Sequence, residues 1–88
     1  NLSAAEVNAE MVDVLSTDTH AEPAQGSPGA TISYGLKIDY LYKAWRNKTE
    51  QTEDTYRLYD DAGTTVDQKA AVSDDGSTFT RGEIATGP

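Results

Sequence analysis

The chain has 88 residues and a formal charge of −8, from 15 acidic against 7 basic side chains, so it is one domain or less. Leu, Ile, Val and Phe together number 14, below the roughly 20% at which a charged chain readily builds a core, and a chain of this size buries only about 63% of its unfolded surface. With no cysteine and one histidine, disulfide frameworks, thiolate metal centres and His-based metal clusters are excluded, which leaves oligomerisation or docking on a larger partner as the staple a small domain needs.

Residues 1–15 read as a helix with complete start signals. Ser3 at the N-cap and Glu6 three positions on form a capping box, each satisfying a backbone N–H that the first turn leaves unpaired. Leu2 and Val7 occupy the hydrophobic-staple positions. Val7, Met11 and Val14 then recur at 4,3 spacing, one apolar stripe on an otherwise acidic helix. A helix of this length is marginal alone, so the stripe must pack on something. The segment lacks a cationic start and carries Glu6, Glu10 and Asp13, unlike a signal peptide. The chain opens on Asn1 rather than Met, as expected after trimming or processing, or for a piece of something longer.

Residues 16–30 (STDTHAEPAQGSPGA) contain Pro23, Gly26, Pro28 and Gly29 with almost no apolar side chain, and read as an extended linker. Its length suits a span between elements or subunits. His20, beside Glu22 and Pro23, reads as an exposed, inert histidine rather than a general base or pH switch.

Residues 31–53 read as a second helix. Tyr34, Ile38, Leu41 and Trp45 recur at 4,3,4 spacing with Tyr42 on the flank, a heptad-like seam that opens to solvent at Lys48 and Thr52. Leu36 and Tyr40 form a weaker strip on the far side, and Asp39 and Lys43 are spaced for an i,i+4 ion pair. Residues 54–88 switch to a period of two and read as a three-stranded antiparallel meander. Tyr56 and Leu58 lie on one strand, Val66, Ala70 and Val72 on the next, and Thr78 to Ile84 forms a third with a bulge at Gly82. The fold class is therefore α+β: two amphipathic helices, a Pro/Gly-rich linker and a meander with too few large apolar residues for a self-sufficient core.

Charge divides along the same lines. Residues 1–36 carry five acids and no base, residues 37–57 five bases and four acids, and residues 58–88 six acids and two bases. The bases Lys37, Lys43, Arg46 and Lys48 interleave with Tyr40, Tyr42 and Trp45 in the raw pattern of a stacking, phosphate-tracking surface. The overall negative charge and the acids Glu50, Glu53 and Asp54 oppose that reading, so no nucleic acid and no anionic membrane is expected as a partner. The longest apolar runs reach two or three residues, far short of a membrane span. Asp60-Asp61 and Asp74-Asp75 lack the EF-hand spacing and read as turn residues rather than metal ligands or a catalytic pair. The Asn47-Lys48-Thr49 sequon falls in the helix and reads as chance. No nucleophile, base and metal set can be assembled, so neither catalysis nor a cofactor is expected.

Three segments, AEVNAEMVDVLSTDTHAEPAQGSPGA, KIDYLYKAWRNKTEQT and YRLYDDAGTTVDQKAAVSDDGSTFTRGEI, resemble small proteins encoded among the structural genes of tailed bacteriophages. The resemblance covers Glu6 to Ile84 and is most distinctive in DYLYKAWRNK and VSDDGSTFTRGE. It brings no catalytic residues, and implies a virion component, assembled in the bacterial cytoplasm, rather than an enzyme. The expectation is an oligomeric segment of a fibre, collar or capsid-decorating appendage, a trimer on architectural grounds, with Val7, Met11, Val14, Tyr34, Ile38, Leu41, Tyr42 and Trp45 at the interface. The alternatives are a head–tail connector or tail-associated protein docking on another virion protein, and a small carbohydrate-binding tip using Trp45 or the tyrosines.

Overall fold

The computed structural model describes all 88 residues: two helices and an antiparallel sheet, in an elongated body of 59 × 29 × 18 Å. Helix α1 runs from Ala4 to Val12, followed by one wider π turn over Asp13–Thr17. The capping box forms as expected: the Glu6 amide donates to Ser3 Oγ at 3.1 Å, and the Ser3 amide donates to Glu6 Oε1 at 3.2 Å. Those hydrogen bonds hold the Glu6 carboxyl below the usual carboxylate range.

Helix α2 spans Tyr34–Arg46, with Ser33 Oγ accepting from the Leu36 amide at its start. The helix expected over 31–53 is thus cut short by about two turns. Asn47 turns the chain to extended geometry, and its side-chain amide is tied to the Tyr59 carbonyl and the Glu22 carboxylate. Thr49–Gln51 then becomes strand β1, pairing antiparallel with β2 (Thr55–Tyr59). Three threonines in seven residues favour an extended chain. The ladder to β2 pairs Thr49, Glu50 and Gln51 with Leu58, Arg57 and Tyr56.

Strand β3 (Val66–Asp74) is the centre of the sheet. It pairs with β2 on one side and with β4 (Phe79–Arg81) and β5 (Ala85–Thr86) on the other. The meander expected over 54–88 is corrected in two ways. An extra strand, β1, comes from the region expected to be helical. The expected third strand, Thr78 to Ile84, is kept only over β4, and β5 forms beyond its end, the register slipping by one residue between Val72↔Arg81 and Lys69↔Ala85. Gly82 lies at that slip and donates its amide to the Ala71 carbonyl at 2.7 Å. At Gly87 an added Cβ would lie 2.5 Å from the Val66 carbonyl oxygen, so the tail crosses β3 where only glycine fits.

The acidic dipeptides shape turns. Asp60 Oδ1 accepts from the Thr64 and Thr65 amides, Asp74 Oδ1 from Gly76, and Asp75 Oδ1 from Ser77 and Thr78. These bonds hold Asp60 and Asp75 below the usual range. The core is small, its buried apolar side chains being Leu58, Ala70 and Val72. Its polar members are Lys43, Asp67 and Gln68.

The segment expected as a spanning linker is partly fastened to the sheet. Gln25 donates its amide to the Val66 and Gly87 carbonyls at 3.0 and 2.7 Å, and the Ser27 amide donates to Thr86 Oγ1. Gln68 donates to the Gly26 carbonyl at 3.1 Å. Residues 22–27 therefore close the end of the sheet.

Candidate functional site: exposed helix faces and a buried ion cluster

The two helices present their apolar stripes outward. Val7, Met11, Val14, Tyr34, Ile38, Leu41, Tyr42 and Trp45 are all between 42 and 83% exposed. Every residue from Asn1 to Ala21 is exposed, and neither α2 nor the sheet covers α1. Leu2, Val7, Met11, Val14 and Leu15 line a shallow groove of about 330 Å³. On α2 the stripe is capped by aromatics: the Tyr42 and Trp45 rings lie 6.1 Å apart, and the Lys37 ammonium sits over the Tyr34 ring at 5.4 Å.

The face of α2 that turns inward is the later part of the weaker strip, Leu36 at its start being exposed. Tyr40 is half-buried, and Lys43, one turn further on, is 1% exposed. Lys43 does not make the expected pair with Asp39, nor does it snorkel to solvent. Its ammonium pairs with the buried Asp67, lies 3.3 Å from Glu22 Oε2, and donates to the Pro23 carbonyl at 2.9 Å. The released Asp39 lies instead 3.5 Å from His20 Nδ1, and Arg46 pairs with Asp61. A lysine out of water is tolerable only when paired and hydrogen-bonded. Here the linker supplies a carboxylate and a carbonyl, and β3 supplies the second carboxylate.

This cluster was invisible in the chain's patterning because its members, Glu22, Lys43 and Asp67, lie 21, 24 and 45 residues apart along different elements. One signal was present. Lys43 occupies the same helical face as Leu36 and Tyr40, so a charged group stood on the strip that packs inward. Beside the cluster, His20, Glu22, Asp39, Tyr42, Arg46 and Asn47 line a polar groove of about 430 Å³. No group of three or more His, Asp or Glu side chains is arranged to hold a metal ion. No helix is long and apolar enough to cross a membrane.

Comparison with protein-family models, with curated proteins and with solved structures finds no match to this chain.

Proposed function

We propose that the chain is a non-enzymatic structural subunit that works by assembling with copies of itself, as an oligomeric segment of a tailed-phage fibre, collar or capsid-decorating appendage. The observation that carries the reading is that both helices leave their apolar stripes uncovered, while the interior of the chain is filled by the sheet, the linker and Lys43. Stripes of this size, next to a core of three apolar residues, mark interaction surfaces.

Charge supports a second copy as the occupant. Helix α1 carries Glu6 and Glu10 with Asp13 in the turn that follows, and no base. Helix α2 carries Lys37 beside its exposed stripe, and Arg46, half-exposed though paired with Asp61, at its end. The α1 face of one copy is thus complementary to the α2 face of another. A trimer is the stoichiometry we propose, since fibre-like assemblies let three chains complete a core that one chain leaves open.

Light scattering across a hundredfold range of concentration tests the reading. A discrete oligomer is expected, and Leu41→Asp should convert it to monomer with the sheet's circular dichroism retained. Each buried Leu is worth about 1.5–3 kcal/mol, or roughly tenfold to a hundredfold in association per contact. A wild-type chain that stays monomeric throughout, or a Leu41→Asp variant that keeps the native size, would refute self-assembly through this stripe. A second reading, a carbohydrate-binding tip, is favoured by the exposure of Trp45 next to Tyr42. It requires sugar-induced change in Trp45 fluorescence from the assembled protein, and fails if none is seen.

A further inference from the structure

Lys43 is the feature of the fold that ion pairing explains least well. Its side chain is fully enclosed, Asp67 beside it is 5% exposed, and Glu22, the third member, is one-quarter open to solvent. Buried pairs of this kind are weak sources of stability, because desolvation offsets most of their attraction. The three groups are also the set needed to join an amine to a carboxyl group: a nucleophile, an electrophile and a proton carrier that touches the reacting nitrogen.

We propose that Lys43 and Asp67 become joined by an isopeptide bond between Nζ and Cγ, with Glu22 carrying the proton, so that the folded chain cross-links itself. Nζ meets two ion-pair partners and two carbonyls. In this scheme Asp67 Oδ2 and Glu22 Oε2, the latter 3.3 Å away, each take one proton, and the third serves the hydrogen bonds to the Pro23 and Ala24 carbonyls at 2.9 and 3.5 Å. With water excluded, the first proton passes to Asp67, leaving an uncharged amine whose lone pair faces an uncharged carboxyl group. The nitrogen attacks Cγ and the Nζ–Cγ bond forms while Glu22 takes the second proton. Glu22 then returns that proton to the hydroxyl oxygen of Asp67, the Cγ–O bond breaks, and water leaves past the exposed side of Glu22. The third hydrogen stays on the new amide and keeps its bond to Pro23. Ammonium plus carboxylate give amide plus water, Glu22 ends as it began, and no oxidant or co-reactant is consumed.

Two further contacts fit this chemistry. The Asn47 side-chain amide donates to both oxygens of Glu22, at 3.4 and 3.2 Å, and fixes the proton carrier against Nζ. The fold itself supplies the proximity that makes amide formation between dilute partners slow, since α2, the linker and β3 hold the reacting groups in contact. The product would tie helix α2 covalently to the central strand.

Mass spectrometry of the full chain, folded as judged by circular dichroism, tests this directly. The intact protein is expected to be lighter than its 9.5 kDa sequence by one water, about 18 Da. Trypsin should release a branched species joining the peptide 38–46 to the peptide 58–69, uncut after Lys43. Lys43→Arg should restore the full mass, and Glu22→Gln, folded, should remain wholly or largely uncrosslinked. A folded wild-type chain at full mass overturns the proposal. So does a loss of water located in a linear peptide, for instance through ring closure at Asp75-Gly76. A Glu22→Gln variant that cross-links as completely and as fast as wild type removes Glu22 from the mechanism.

Discussion

Replacing Leu58 with Ala tests whether the sheet is the folding core. Leu58 is 1% exposed and faces Gln68 across the β2–β3 ladder, and its buried apolar companions are Ala70 and Val72. Of the side-chain carbon in those three residues, Leu58 contributes about half, and the substitution removes three of its four carbons. Transfer alone is worth about 0.8 kcal/mol per carbon, or roughly 2.4 kcal/mol. The cavity left behind raises the cost to about 3–4 kcal/mol. At roughly 0.05–0.15 kcal/mol per residue a chain of this size has about 4–13 kcal/mol to lose, and a small core puts it towards the lower figure. Urea unfolding followed by circular dichroism should therefore move its midpoint down by about 2 M, given a typical slope of 1–3 kcal/mol/M. Because Leu58 is enclosed within one chain, the loss should be the same at protein concentrations a hundredfold apart. Leu41→Ala, on the open face of α2, should by contrast show a loss that grows with concentration. A Leu58→Ala cost below about 1 kcal/mol would refute this account of the core.

Two other predictions concern the turns and the tail. Glu6, Glu50, Asp54, Asp60 and Asp75 are held below the usual carboxylate range by hydrogen bonds that favour their charged forms. Their contributions are complete above the unfolded-state values near pH 4 and are lost as pH falls through the lower folded-state values. Tyr59 has the opposite sign: its hydroxyl donates to the Glu50 carboxylate, which raises it above the usual phenol range. That contribution holds below about pH 10 and is lost as pH rises through the raised value. Melting temperature should accordingly fall on both flanks, and Asp60→Ala should flatten the acid one; a melt unchanged down to about pH 2 would contradict it. Gly87→Ala should drive the tail off Val66 at a cost of about 1–3 kcal/mol, with faster amide exchange at Ser27 and Thr86. Unchanged exchange at both positions would show that the tail does not need glycine there.

Local chemistry was the legible part of this chain. The Ser3–Glu6 box and the Asp60, Asp74 and Asp75 turns are complete within five residues, so spacing alone specifies them. The inward parity of Leu58, Ala70 and Val72 was likewise readable from alternation. What was not readable depends on groups distant along the chain. Helix α2 ends at Arg46 because Asn47 is gripped by Glu22 and Tyr59, 25 and 12 residues away. The orientation of α2 also ran against its hydrophobic pattern. The stripe with the most apolar area faces outward, and the face bearing Lys43 turns in, where Asp67, Glu22 and the Pro23 carbonyl supply its ammonium with partners. The candidate interface residues could be chosen by periodicity, whereas the ion cluster needed the third dimension.

The Gln25 amide, bonded at once to Val66 and Gly87, also decides how the molecule would carry tension. A pull applied at its two ends travels through residue 25 and across that short bridge to residue 87, leaving the 61 residues between them in a slack loop. The strands are thereby spared until the bridge and the neighbouring Ser27–Thr86 contacts give way, whereas α2 feels the load earlier through Glu22 and Pro23, which Lys43 and Asn47 hold. Rupture would begin at this clasp, as a small first step in extension, before any strand is peeled away.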